Sequence, residues 1–362
     1  MVYAGAVITD VNPSAKKNYA LETATGVSWD DIGGLENEKA KMREAIEHPI
    51  LFADLYKAYN QKKPKGILLY GPPGNGKTML GKAAATAIAE LYKTTEKGFI
   101  YVKGPEILSR FVGDAEERIR GIFAQAREFS KKHNSQAIIF VDEAESILSR
   151  RGTGLSSDME KTIVPQFLSE MDGLNDSGAI VILTTNRADM LDPAVIREGR
   201  IDQKIYIGNP DEITAKAILG LNLKDVPVKS GSDPVETVID LLYSEKYAMY
   251  NVVLDSGAVY KLRLGDLSSG ATIATIVKSV ITLAMKRDID SKSKTASGVQ
   301  HCDVEKAIND LYNQYFKLDH RDFLDGYKKK LGEENVIVKS ITKLPHESVT
   351  REQQTEPAAL SV

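Results

Sequence analysis

Gly71-Pro72-Pro73-Gly74-Asn75-Gly76-Lys77-Thr78 decides the reading of this 362-residue chain. The octet fits the phosphate-loop pattern of two glycines with four residues between them followed by Lys-Thr, and its neighbours supply the context that the pattern needs. The apolar run 66–70 before it predicts a buried strand, and the alanine-rich stretch 83–89 behind it predicts a helix. Gly71, Gly74 and Gly76 let backbone N–H groups curl around a β-phosphate, and the helix N-terminus adds a favourable dipole. Pro72, Pro73 and Asn75 complete the loop, and Met79 follows on the first turn of the helix. Lys77 is expected to neutralise β- and γ-phosphate oxygens, with the Thr78 hydroxyl as a Mg²⁺ ligand. A purely structural glycine turn would need neither the Lys-Thr pair nor the strand and helix around it. ATP and Mg²⁺ are therefore the expected ligands.

Outward from the loop, short apolar runs alternate with helical stretches from about Trp29 to Asn209. This is the signature of an α/β fold with a parallel sheet covered on both faces. Strands are predicted over 66–70, 99–102, 137–141, 179–184 and 204–207. A helix over 114–132 carries Ile119, Ile122, Phe123 and Ala126 on one face, and Asp114 with Glu117 reads as a capping box. The run 138–141 ends in Asp142 and Glu143. Asp142 can hold Mg²⁺ through water, and Glu143 is the expected general base, a role worth about 10²–10⁴-fold. A solvated acidic turn is the bland alternative, but it would not need the apolar run in front. Asn186, behind the strand 179–184, is placed to sense the γ-phosphate; elsewhere such an Asn is a turn residue. Arg197 and Arg200 stand three apart, and arginine can stabilise charge on a transferring phosphoryl group, worth about 10³–10⁵ in rate. Two surface ion pairs would be the default for such a pair.

Past Asn209-Pro210 the pattern turns mainly helical, which sets a second, smaller domain over 210–342 after a large domain over 28–209. Its clearest helix covers 269–287, with Ile273, Ile276, Val277, Val280 and Ala284 on one stripe. Inside it, 251–254 and 259–264 flank Asp255-Ser256-Gly257 and predict a β-hairpin. Residues 1–27 read as an arm or linker, and 343–362, polar and without period, as a disordered tail. Apolar residues are 42% and charged residues 27%, ordinary for a globular protein. Net charge is 47 − 50 = −3, which gives no reason to expect nucleic acid or an anionic membrane as partner. No apolar run approaches the roughly 20 residues of a membrane span, and no basic n-region precedes the apolar stretch 4–8. Cys302 is the one cysteine, which excludes an internal disulfide and suits a reducing, cytoplasmic setting. With no second cysteine, His301 beside it does not build a metal site.

The order of phosphate loop, Asp142-Glu143 strand, Thr185-Asn186, Arg197-Glu198-Gly199-Arg200 and helical lid resembles AAA+ ATPases of the AAA branch. Asp30-Asp31-Ile32-Gly33-Gly34 looks like that branch's adenine-pocket entry, and Ser269-Gly270-Ala271 like the lid turn that approaches the nucleotide. Within the branch the chain resembles the bacterial proteasome-associated ATPases, the Mpa/ARC family, over about 27–343. The likeness is carried by Lys103-Gly104-Pro105-Glu106-Ile107-Leu108-Ser109-Arg110-Phe111-Val112-Gly113 and by Arg151-Gly152-Thr153-Gly154-Leu155-Ser156-Ser157-Asp158. Asn186-Arg187-Ala188-Asp189-Met190-Leu191-Asp192-Pro193, Asp266-Leu267-Ser268-Ser269-Gly270-Ala271 and the hairpin agree as well.

The resemblance implies a homo-oligomer, a hexameric ring, in which Arg197 and Arg200 reach the neighbouring subunit's ATP. It implies that Phe111, Val112 and Gly113 form a pore loop gripping an unfolded polypeptide, that Gly152-Thr153-Gly154 forms a second one, and that Met171-Asp172-Gly173-Leu174 couples subunits. Two departures shape the expectations. That family carries coiled-coil and OB-fold segments ahead of its ATPase domain, where this chain has about 27 residues without heptads. Its docking tail ends Gly-Gln-Tyr-Leu, where this chain ends Ala358-Ala359-Leu360-Ser361-Val362, so docking to a proteasome is not expected. The leading expectation is an ATP-driven ring that unfolds or remodels protein substrates. The rivals are a nucleic-acid-moving ring, which Arg110, Arg150 and Arg151 favour and the acidic balance opposes, and an ATP-switched assembly factor without threading.

Overall fold

The structure is a computed structural model that describes residues 26–94, 98–108, 113–150, 157–174, 178–318, 320, 321, 323, 324, 327, 328 and 336–345. The chain divides into two compact units, residues 1–207 and 208–362.

The first unit contains helix α1 (Glu36–Ile46), strand β1 (Gly66–Tyr70), helix α2 (Lys77–Leu91), strand β2 (Phe99–Lys103), helix α3 (Asp114–His133) and strand β3 (Ala137–Asp142). Helix α4 (Ser157–Asp172), strand β4 (Ala179–Thr185) and strand β5 (Gln203–Tyr206) complete it. The five strands form one sheet in the order β2-β3-β4-β1-β5, and every pairing is parallel. Alternation along the strands divides the core in two. Leu68, Ile139, Val141, Val181 and Leu183 pack on one face with Ile119, Phe123 and Phe167 from α3 and α4. Ile67, Leu69, Ile138, Phe140 and Ile182 pack on the other with Met42, Leu80 and Ile88 from α1 and α2. A sheet buried on both faces explains why its strands read as continuous apolar runs.

Strand β4 lies between β1 and β3, with Leu69 beside Thr184, Tyr70 beside Thr185, and Val141 beside Leu183. The C-terminal ends of β1, β3 and β4 are therefore neighbours, the place where open α/β sheets bind ligands. Helix α3 carries the predicted stripe, but the capping box does not form. Gly113, at φ 93°, is the cap and makes no side-chain bond, so Asp114 and Glu117 instead put negative charge into the first turn.

In the second unit, helices α5 (Glu212–Leu223), α6 (Pro234–Leu242), α7 (Gly270–Asp290) and α8 (His301–Lys317) surround one core. The stripe Ile273, Ile276, Val277, Val280 and Ala284 is buried as the periodicity requires, and Ser269 caps α7 by accepting the Thr272 N–H. The hairpin is present as β6 (Ala248–Leu254) and β7 (Val259–Arg263). A third strand, β8 (Val338–Lys343), pairs antiparallel with β6 and makes a sheet in the order β7-β6-β8. The sequence reading did not contain β8, because its half-polar alternation lacks the apolar density of a core strand.

Candidate functional site: a phosphate loop beside a carboxylate pair

Residues 71–76 leave β1 and turn sharply into α2. Gly71 has φ +139°, and a Cβ there would stand 2.1 Å from the Ile207 carbonyl oxygen, so no other residue fits. Gly76, at φ +84°, caps α2 in the left-handed conformation. The first helical bond is Leu80 N–H to the Gly76 carbonyl at 3.0 Å. The N–H groups of Lys77, Thr78 and Met79 thus precede the helical ladder, as an anion site requires.

Lys77 is buried, and its ammonium donates to the Gly71 carbonyl at 2.8 Å, the Pro72 carbonyl at 2.8 Å and Asn186 Oδ1 at 2.9 Å. Burial pulls its pKa down to about 8, against the opposing pull of Asp142 and Glu145. Thr78 Oγ1 donates to Asp142 Oδ2 at 3.3 Å, and the Tyr101 hydroxyl donates to the same oxygen at 3.0 Å. Thr184 Oγ1 donates to Asp142 Oδ1. Tyr101 and Thr184 join the candidate site through Asp142 without any signal in the sequence; their placement appears only once β2, β3 and β4 lie side by side.

Glu143 follows at the sheet edge, exposed, with φ 52° and ψ 47°. A non-glycine residue in the left-handed region is strained, a state common at functional sites. Ser146 holds the turn, its Oγ donating to the Glu143 carbonyl at 2.8 Å. Lys77, Thr78, Asp142, Glu143 and Asn186 are thus gathered around the ends of three adjacent strands.

The donor set fits a magnesium nucleotide. A hydroxyl and a carboxylate are hard oxygen ligands, and beside them stand an ammonium and a helix N-terminus for phosphate. Among the described residues no group of three or more His, Cys, Asp or Glu could hold a metal ion. That suits an ion completing its shell with phosphate and water.

The other predicted residues are placed as follows. The short turn Trp29–Asp31 packs against α2. The Asp31 carboxylate accepts from the Ser28 N–H and hydroxyl at 2.7 and 2.8 Å, which closes the turn. Ile32 is buried and Gly33 follows it, with buried Lys39 donating to the Ile32 carbonyl at 3.1 Å. Gly270 and Ala271 open α7 in the second unit.

The two arginines differ. Arg200 makes a two-pronged ion pair with Asp172, at 2.9 and 2.8 Å, and donates to the Ala194 carbonyl at 2.8 Å. Those bonds hold the Asp172 carboxyl below its usual range. Arg197 is exposed; its carbonyl accepts the N–H groups of Arg200 and Ile201 at 3.2 Å, and its guanidinium has no ion pair or hydrogen bond among the described residues. Phe111, Val112 and Gly152-Thr153-Gly154 lie outside the described residues; Gly113 caps α3.

This fold, with this loop, is that of a P-loop nucleotide-binding α/β domain followed by a mainly helical unit. Residues 67–209 match the model of the ATPase family associated with various cellular activities (AAA). It is 39% identical over 321 residues to a protein of Bifidobacterium animalis subsp. lactis (strain AD011) named "AAA ATPase forming ring-shaped complexes", covering 86% of this chain and 61% of that one. A protein of the same name from Corynebacterium glutamicum (strain R) is 41% identical over 317 residues, covering 86% and 59%. One from Corynebacterium kroppenstedtii is 37% identical over 373 residues, covering 98% and 65%. The chain thus spans about three fifths of the length of these relatives. No helix among the described residues is long and apolar enough to cross a membrane.

Proposed function

We propose that this chain hydrolyses ATP to ADP and phosphate with Mg²⁺, as one subunit of a homo-oligomeric ring that unfolds or remodels protein substrates. The observation carrying the hydrolysis is the gathering of Lys77, Thr78, Asp142, Glu143 and Asn186 at neighbouring strand ends. Lys77 exchanges its loop carbonyls for phosphate oxygens. Thr78 would hold the magnesium ion directly and Asp142 through water, and the bound ion would neutralise phosphate charge. Glu143 takes a proton from the attacking water, and Asn186 orients that water and the γ-phosphate. Asp31, Ile32 and Gly33 would contact the adenine ring of the nucleotide. Glu143→Gln should keep ADP and ATP binding and lose turnover by about 10²–10⁴-fold. Near-normal turnover would remove Glu143 from the role of base.

The ring rests on the relatives' names and on Arg197, an exposed guanidinium of the kind that can act on a neighbour's phosphoryl group. Arg200 braces the same segment through Asp172. A hexamer, a cytoplasmic setting and threading of polypeptide through a pore rest on the likeness of 103–113 and 151–158 to proteasome-associated ATPases and on the lone Cys302. An aromatic at Phe111 offers sequence-tolerant contact with an extended chain. Phe111→Ala should leave ATP hydrolysis intact while processing of a folded protein substrate fails; unimpaired processing would refute threading by this loop.

A further inference from the structure

Two residues beyond the proposed base, Glu145 sits in the short turn Ala144–Ser146. One carboxylate oxygen, Oε1, accepts the backbone N–H of Asn186 at 3.4 Å. The other, Oε2, is closed off from solvent and has no hydrogen-bond partner among the described residues. Buried carboxylate oxygens are almost always paired, because an unpaired one loses its hydration without replacement. This one lies beside the residue read as the γ-phosphate sensor. Lys77 in turn donates to the Asn186 carboxamide oxygen at 2.9 Å.

Asn186 is therefore gripped twice, at its side chain by Lys77 and at its backbone by Glu145. Only the first grip is given up when Lys77 turns to phosphate oxygens. The carboxamide then needs another restraint, and it carries two N–H donors where Glu145 carries a spare acceptor. We propose that Glu145 is a positioning residue for phosphate sensing: Oε1 fixes the Asn186 backbone, and Oε2 accepts one carboxamide proton and leaves the other for the γ-phosphate. Because Glu143 and Glu145 share one tight turn, base and sensor are also tied to a common support. Glu145 acts through Asn186, so its removal acts chiefly on turnover, with only a small effect on nucleotide affinity through its charge near Lys77.

The inference rests on the proposed role of Asn186, and a double-mutant cycle on the full chain separates the two. Steady-state kcat and KM for ATP, and ADP affinity, are measured for Glu145→Ala, Asn186→Ala and the double variant, with thermal unfolding of each. Glu145→Ala should lower kcat by about 10–100-fold and leave KM and ADP affinity within about twofold, the range typical of supporting residues around a site. On the Asn186→Ala background it should add less than about twofold, since its effect passes through that side chain. Glu145→Gln, which keeps one acceptor oxygen, should recover part of the loss; if the alanine variant does not fold, the cycle is run with Gln. A near-normal kcat in Glu145→Ala, or losses that multiply in the double variant, would overturn the inference. If Asn186→Ala itself leaves kcat unchanged, the reading of the sensor fails instead.

Discussion

The ammonium of Lys77 is bonded on three sides, yet burial draws its pKa from 10.5 down to about 8. Between those two values the unfolded chain binds more protons at this residue than the folded one, so the stability it contributes rises with pH across that window. Nucleotide-free wild type should gain thermal stability relative to Lys77→Met from about pH 8 upward; parallel curves would show an unshifted lysine. At this scale the sequence named most of the site. Lys77, Thr78 and Asp142 stand in a fixed pattern that follows an apolar run, and such patterns can be read without coordinates. Tyr101 and Thr184, which hold Asp142, cannot. Each is an ordinary strand residue until the register places it beside a carboxylate. Nor does the sequence distinguish Arg197 from Arg200; what separates them is Asp172, 28 residues before Arg200.

Among the elements, α2 lies close against β3, because Gly81 faces Phe140. A Cβ at Gly81 would lie 2.2 Å from the Phe140 ring, which is fully buried. In a free helix Gly→Ala gains about 1 kcal/mol, but forced overpacking costs about 1–3 kcal/mol. The second effect should win, because the ring is held by Phe99 and Tyr101 around it. Gly81→Ala should lower the urea midpoint and, by moving the helix that carries Lys77 and Thr78, weaken ADP binding. A raised midpoint would mean that α2 shifts freely. The strands themselves were legible almost to the residue, since burial on both faces leaves a continuous apolar signal. The start of α3 was not, because Gly113 and Asp114 both suit a cap and only backbone geometry decides between them.

For the molecule as a whole, the proposed assembly predicts complementation. Arg197→Ala should lose turnover and keep ADP affinity and thermal stability, whereas Arg200→Ala should also lose stability, because Asp172 is left unpaired. A Lys77→Ala subunit has an intact Arg197, and an Arg197→Ala subunit has an intact phosphate loop. Rings formed from both should recover part of the activity; none in demonstrably mixed rings would argue against action between subunits. The second unit was legible in its mainly helical character, in helix α7 and in its hairpin. Strand β8 was hidden, since its partner β6 is remote in sequence and no local pattern announces such a pairing.

That remoteness orders events in time. Val252 pairs with Ile341, and Asn251 with Thr342, so β6 and β7 leave the ribosome well before the strand that covers β6 on its other side. Until β8 arrives the nascent hairpin has an open edge on the strand that is central in the finished sheet, and an open edge accepts any extended chain. Closing it requires bridging α7 and α8, which makes it a slow, late step. The birth of this unit therefore includes an interval in which prompt release of the last strand, or a chaperone on β6, separates folding from aggregation.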